Sequence, residues 1–344
     1  VLSAASPSAE ATTSAEPLPD AGTTTSRGTV LRRRFGPWGV PLIMLVMVAV
    51  FQSQNSAFLT VANIWTILEG AALPAMVACA LTVILVMGEF DLSVQAVAGF
   101  STTTFAALMA SWNLTTVSAI AIMLGLGLLI GALTGWLVAY QGLNALVVTI
   151  GAASLLNGGE FWVSDSRSIS VGIDPAFVSF VRSDVAGVPV LVLLAPVVAL
   201  VLWALLDRSS LGRELRAIGA NREAARFAGV NVRRTILIGF VITALVCTVA
   251  GMLYTGRAGQ AYPLTGLQVL LPSFAACFIG AAMFRVGEFN IPGTMVGAVL
   301  ASIVPNGLLL ADVSGYSTYF FQGGILILAV GFARLVAGRD TSHA

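Results

Sequence analysis

The chain has 344 residues, of which 57% are hydrophobic and only 10% charged, with a formal net charge of +1. Soluble domains carry roughly a quarter of their residues charged, so this composition excludes that class and points to a membrane protein. All 17 cations are arginine, and without lysine the chain holds neither a P-loop, whose lysine reaches the phosphates, nor a Schiff base.

In chain order, residues 1–34 come first. They are rich in Ala, Ser, Thr and Pro until the basic cluster Arg27, Arg32, Arg33 and Arg34, and are expected to form a disordered cytoplasmic tail. Residues 35–336 then carry apolar runs long enough for a bilayer, which needs about 20 residues per helix. Ten spans are predicted: 36–52, 67–88, 93–111, 117–139, 145–163, 189–206, 235–256, 268–284, 292–310 and 317–335. The fifth is interrupted by Asn157, Gly158, Gly159 and Glu160. Residues 337–344 form a C-terminal tail. An even count of ten collects four arginines before the first span, seven in 207–234, and Arg285, Arg334 and Arg339 on one side. Only Arg167, Arg182 and Arg257 fall on the other. The positive-inside bias then puts both termini in the cytoplasm of a multi-pass inner-membrane protein. Cys79, Cys247 and Cys277 lie inside spans, where small packing residues are common.

The segment 207–234 concentrates seven of the arginines. Within it Asn221 is a good N-cap, Glu223 sits in the first turn, where the helix dipole favours an anion, and Gly229 is a natural stop. The helix between them is about two turns long, with Ala224, Phe227 and Ala228 on one face. So short a helix is unstable alone in water and needs something to hold it. A groove on a partner protein would do so, as would an anionic lipid surface, which arginines also favour.

The residues of this segment resemble a known family. Leu211-Gly212-Arg213, Ala217-Ile218-Gly219-Ala220-Asn221, Glu223-Ala224-Ala225-Arg226 and Gly229-Val230-Asn231-Val232 closely resemble the cytoplasmic loop of ribose-type ABC sugar permeases. Three further stretches are similar to motifs of that family. Gly88-Glu89-Phe90-Asp91-Leu92-Ser93-Val94 resembles G-G-I-D-L-S-V-G, with Glu89 and Gln95 in place of glycines. Leu146 to Gly151 resembles F-I-V-T-L-G, with Asn144-Ala145 where prolines are usual. Gly280 to Ala298 resembles a glycine-rich turn between the last helices. The likeness spans residues 40–336.

The resemblance implies an all-α polytopic permease of type II ABC importer-like architecture. Its partners would be cytoplasmic ABC ATPase subunits, a second permease subunit (identical or paralogous) and an extracytoplasmic solute-binding protein, with membrane lipid around it and no nucleic acid. The chain itself would hold no cofactor, and the partner ATPase would bind ATP and Mg. Asn221 would cap a coupling helix whose docking face is Ala224, Ala225, Phe227 and Ala228, with Arg222, Glu223 and Arg226 at the rim and Gly229 at the stop.

Charges deep in a span cost about 2.5–3.5 kcal/mol on insertion scales, so such groups usually face protein or water. Glu69 and Glu160 near the outer span ends are therefore pathway candidates, although a helix-end carboxylate fits them equally. Asp91 and Ser93 would belong to a loop near the inner gate, with Ser93 able to cap the third span. The pathway lining is expected among Ser101, Thr102, Thr103, Thr104, Asn157 and Asn306. No chemistry on the solute is expected: G-x-S-x-G and H-E-x-x-H are absent, and His343 is the only histidine.

The expected activity is import of a small polar solute, a monosaccharide, by alternating access. A nucleoside or sugar-derived signal in the same architecture is one alternative, and an ion-coupled secondary transporter is another. The latter would be expected to carry a mid-span titratable residue or a broken helix. One internal echo stands apart. Leu73-Pro74-x-x-x-Ala78-Cys79 followed by Gly88-Glu89-Phe90 recurs as Leu271-Pro272-x-x-x-Ala276-Cys277 followed by Gly287-Glu288-Phe289. The two copies lie six spans apart and so run in the same direction, which an inverted repeat would not.

Overall fold

The computed structural model describes residues 27–285 and 287–337. Its elements are α1 (Arg27–Gln54), α2 (Val61–Val86), α3 (Val94–Ala110), α4 (Thr116–Ala139), α5 (Ala145–Val163) and α6 (Pro175–Val181). A minimal hairpin of β1 (Asp184–Val185) and β2 (Val188–Pro189) follows. The remainder is α7 (Val190–Arg208), α8 (Ser210–Ala220), α9 (Arg222–Phe227), α10 (Val232–Ala258), α11 (Leu267–Ala281), α12 (Ile291–Leu310) and α13 (Tyr316–Ala337). A helix stands at each of the ten predicted spans. Among the described residues six of these helices are long and apolar enough to cross a membrane: α2, α4, α5, α7, α10 and α12. α3, α11 and the Gly39–Gln54 part of α1 are apolar but shorter.

The fifth span is one unbroken helix despite its polar and glycine interruption. Asn144 starts it by accepting from Leu146 N at 2.9 Å, and a glycine inside a packed helix costs only about 1 kcal/mol. The eighth span departs from expectation. α11 has 15 residues, about 22 Å of helix, against roughly 30 Å of hydrocarbon. The chain before it, residues 259–266, is irregular and folds against α3: Gly266 leaves no room for a Cβ beside the Gln95 carbonyl and Gly99 N. Irregular backbone is tolerated inside a membrane protein where the protein itself satisfies it.

α1 begins at Arg27, inside the expected tail 1–34. Arginine is a good helix former, and nothing in 29–35 breaks the helix. Residues 1–26 and 338–344 lie outside the described residues.

α2 is the central helix, buried almost continuously over 71–85, with α7, α10, α11 and α12 packed around it. α4 lies against α10 through Gly127, Gly131 and Gly135, spaced one turn apart. A Cβ on Gly131 would sit 2.7 Å from Val241 Cα. Small residues in a row let two backbones approach, and this close packing drives helix association in lipid. The outer faces carry bare apolar side chains, such as Leu129 and Leu133 on α4, Val147 and Leu155 on α5, and Leu200 and Val201 on α7. Water would not tolerate so large an apolar surface, but lipid does.

Candidate functional site

The segment 207–234 folds as two helices where one was predicted. Ser209 caps α8 by accepting from Gly212 N at 3.2 Å, and Leu215 and Ile218 bury its inner face. The signal was present in the sequence: an N-cap serine followed by Leu211, Leu215 and Ile218 at i, i+4 and i+7. Gly219 permits close approach to α2, since a Cβ there would strike the Val86 carbonyl.

α9 follows as expected. Asn221 Oδ1 accepts from Ala224 N at 2.9 Å. Gly229, at φ +87°, ends the turn, and Val230 N donates back to Ala225 O at 3.1 Å, a Schellman-type close. The helix is held from within the chain. Ala225 is 4% exposed and packs with Leu206, Ile218 and Ile236. It is therefore an anchor, which corrects its expected part in the docking face: at this register it points opposite Phe227. Phe227 is 87% exposed, and Arg222, Glu223, Ala224, Arg226 and Ala228 are exposed beside it.

Ion pairs tie this segment to the bundle. Arg222 Nη2 donates to Glu89 Oε1 at 2.7 Å. Asp207 Oδ1 accepts from Arg216 at 2.9 Å and from Arg285 at 2.7 Å. Arg216 also stands 3.8 Å from Glu288. Glu89 is held above the usual carboxylate range because burial outweighs the attraction of Arg222. Asp91, two residues on, is buried without a cation, and its pKa rises to about 6. Its Oδ1 accepts from Ser93 N at 2.7 Å and from the Ser93 hydroxyl at 2.6 Å. Ser93, expected as able to cap the third span, makes no side-chain cap of α3, because its hydroxyl is committed to Asp91.

At the opposite end of α2 lies a cavity of about 350 Å³, within the roughly 300–1,000 Å³ range of small-molecule sites. Polar groups reach it from five helices, among them Thr66, Arg257, Gln268, Asn306 and Gln322. Of the expected pathway residues only Asn306 lines it, and its amide exchanges hydrogen bonds with Asn63 at 2.9 and 3.0 Å. Glu69 stands beside it, 3.8 Å from Arg257. Arg257 entered the sequence argument only as a topology marker. Its place directly after the seventh predicted span was the available signal.

The other expected pathway groups sit in helix seams. Ser101 and Thr102 return hydrogen bonds to Val97 O and Ala98 O, and Thr102 also reaches Gly251 O. Glu160 is fully buried, and its Oε2 accepts from Leu264 N at 2.7 Å. Near the end of α5, it satisfies the irregular segment 259–266 from inside the protein. Thr103, Thr104, Asn157 and Glu160 each keep one buried side-chain oxygen without a hydrogen-bond partner among the described residues. All four lie on α3 and α5, so this seam is polar but outside the cavity.

Comparison with known proteins adds a second line of evidence. A family model described as branched-chain amino acid transport system / permease component matches residues 63–330. The chain is 32% identical to the D-allose transport system permease protein of Escherichia coli over 87% of its own length and 92% of that protein. It is 28% identical to the ribose import permease protein of Haemophilus influenzae, covering 84% and 90%. To the L-arabinose transport system permease protein of Escherichia coli it is 29% identical, covering 88% and 90%. No solved structure matches.

Proposed function

The chain belongs to the branched-chain amino acid transport system permease-component family, and we propose that it is the membrane subunit of an ABC importer for a monosaccharide. Its similarity to permeases named for allose, ribose and arabinose, over most of each chain, carries this reading. The chain sits in the cytoplasmic membrane with ten spans and both termini inside, and pairs with a second permease subunit. A binding protein outside delivers the sugar. ATP is bound and hydrolysed on separate cytoplasmic subunits, and this chain performs no chemistry on its solute.

In this reading α9 is the coupling helix. Its anchored Ala225 and bare Phe227 suit a helix held by its own chain on one side and open to an ATPase groove on the other. An exposed aromatic ring at a helix surface is the kind of anchor that fills a partner's pocket. The cavity between α2, α10, α11, α12 and α13 suits the sugar, because amides, hydroxyls and the Glu69–Arg257 pair offer donors and acceptors to ring hydroxyls.

The test is a pull-down in mild detergent from native membranes, with every co-eluting chain identified by mass spectrometry. A P-loop ATPase is expected, and Phe227→Asp is expected to lose both the ATPase and sugar uptake while the permease stays in the membrane. Undiminished uptake with Phe227→Asp overturns the docking role.

A further inference from the structure

The sequence echo has a structural counterpart. The Ser273 hydroxyl donates to Pro74 O at 3.1 Å, and Cys277 Sγ approaches Ala78 O at 3.2 Å. The contacts advance by four residues, in the same direction, on both helices. The two copies of the motif therefore lie side by side as a parallel pair, α2 against α11, and Thr82 on α2 closes the seam against Cys277 and Thr294. Each copy then ends in a glycine with left-handed backbone, Gly88 at φ +79° and Gly287 at φ +87°. A side chain is strained there, so glycine makes the turn that the next residue needs. That next residue is a glutamate in both copies. Glu89 pairs with Arg222 at 2.7 Å and Glu288 lies 3.8 Å from Arg216. Asp207 adds a second hold on this side by bridging Arg216 and Arg285.

The opposite halves of the same two helices wall the cavity through Gly70 and Pro74 on α2 and Gln268 and Pro272 on α11. A proline inside a helix removes one backbone hydrogen bond and marks where the helix bends. We propose that α2 and α11 form a paired lever, in which Glu89 and Glu288 act as positioning residues that grip the α8–α9 segment, so that its displacement moves the walls of the solute cavity. The proposal rests on the coupling reading of α9. The two grips are unequal. The Glu89 side chain is 18% exposed and hydrogen-bonded, whereas that of Glu288 is 62% exposed and beyond hydrogen-bond distance. Solvent screens an exposed, loosely held pair, so the Glu89 grip dominates.

The test uses the full complex of permease, ATPase and binding protein in proteoliposomes, reading sugar transported per ATP hydrolysed. Glu89→Arg, which lies off α9, is expected to lower that ratio by about tenfold or more while the ATPase remains bound, and Arg222→Glu is expected to lower it at least as far. The double swap E89R/R222E restores it towards the wild-type value, which ties the loss to this ion pair rather than to the other contacts of either residue. Glu288→Gln has a smaller effect than Glu89→Gln. Single variants with a wild-type ratio overturn the lever, as does a double swap no better than either single. If a single variant fails to insert, the double swap decides by the same criterion. A wild-type permease that recruits no ATPase refutes the coupling reading and the lever with it, whereas an assembled complex indifferent to both charge reversals refutes the lever alone.

Discussion

Asp91 is a carboxyl taken out of water and hydrogen-bonded by Ser93, and burial raises its pKa to about 6. The sign follows from linkage. A carboxyl whose pKa is higher folded than unfolded binds its proton more tightly when folded, so stability increases as pH falls through that range. Between pH 7 and pH 5 Asp91 is expected to add about 1 kcal/mol of stability. Thermal midpoints of the detergent-purified protein at the two pH values should show the rise, and Asp91→Asn should remove it; an unchanged slope in the variant refutes the assignment. At this scale the sequence was informative about caps and much less so about faces. Asn221 and Gly229 act as their residue types dictate, because capping is local backbone chemistry. That Ala225 points inward and Phe227 outward depends on how α9 seats among α7, α8 and α10, a packing that local spacing does not encode.

Among elements, the apolar helices were legible because a bilayer demands long runs of apolar residues. α6 and the hairpin were not, being short and not set by that demand, and α8 showed only in its capping serine and apolar spacing, which that demand does not weigh. The break before α11 was equally hidden, since its irregular backbone is sustained by Glu160, more than 100 residues earlier. Close packing of α4 on α10 makes a prediction of its own. Gly131→Ala forces a methyl to within 2.7 Å of Val241 Cα, and overpacking of this kind costs about 1–3 kcal/mol. Gly125→Ala on the same helix meets nothing within 4 Å and should be neutral or slightly stabilising. Apparent melting temperatures should therefore fall for the first and not for the second; an equal response in both would show that the α4–α10 contact is not tight.

For the whole molecule, the cavity and the α8–α9 segment lie at opposite ends of the same central helix. The cavity can be tested without disturbing the fold. A Cβ on Gly70 meets nothing within 4 Å, so Gly70→Leu extends into the cavity and adds helix propensity worth up to about 1 kcal/mol. Uptake is expected to fall by about tenfold or more, equivalent to about 1.4 kcal/mol in the barrier, while thermal stability holds or rises. Undiminished uptake by a stable Gly70→Leu protein would remove this cavity from the solute's route.

By itself the sequence determined the class, the helical runs and the capped α9, because these follow from composition and from chemistry within a few residues. The folded structure alone decided which polar side chains face a cavity and which are sealed in seams. Asn306 and Glu160 look alike as polar residues near a span end, yet one lines open space and the other holds a backbone N–H in the core. In a chain this apolar, every helix face can be buried against protein or lipid, so periodicity carries no address. Only the packing of distant helices supplies one.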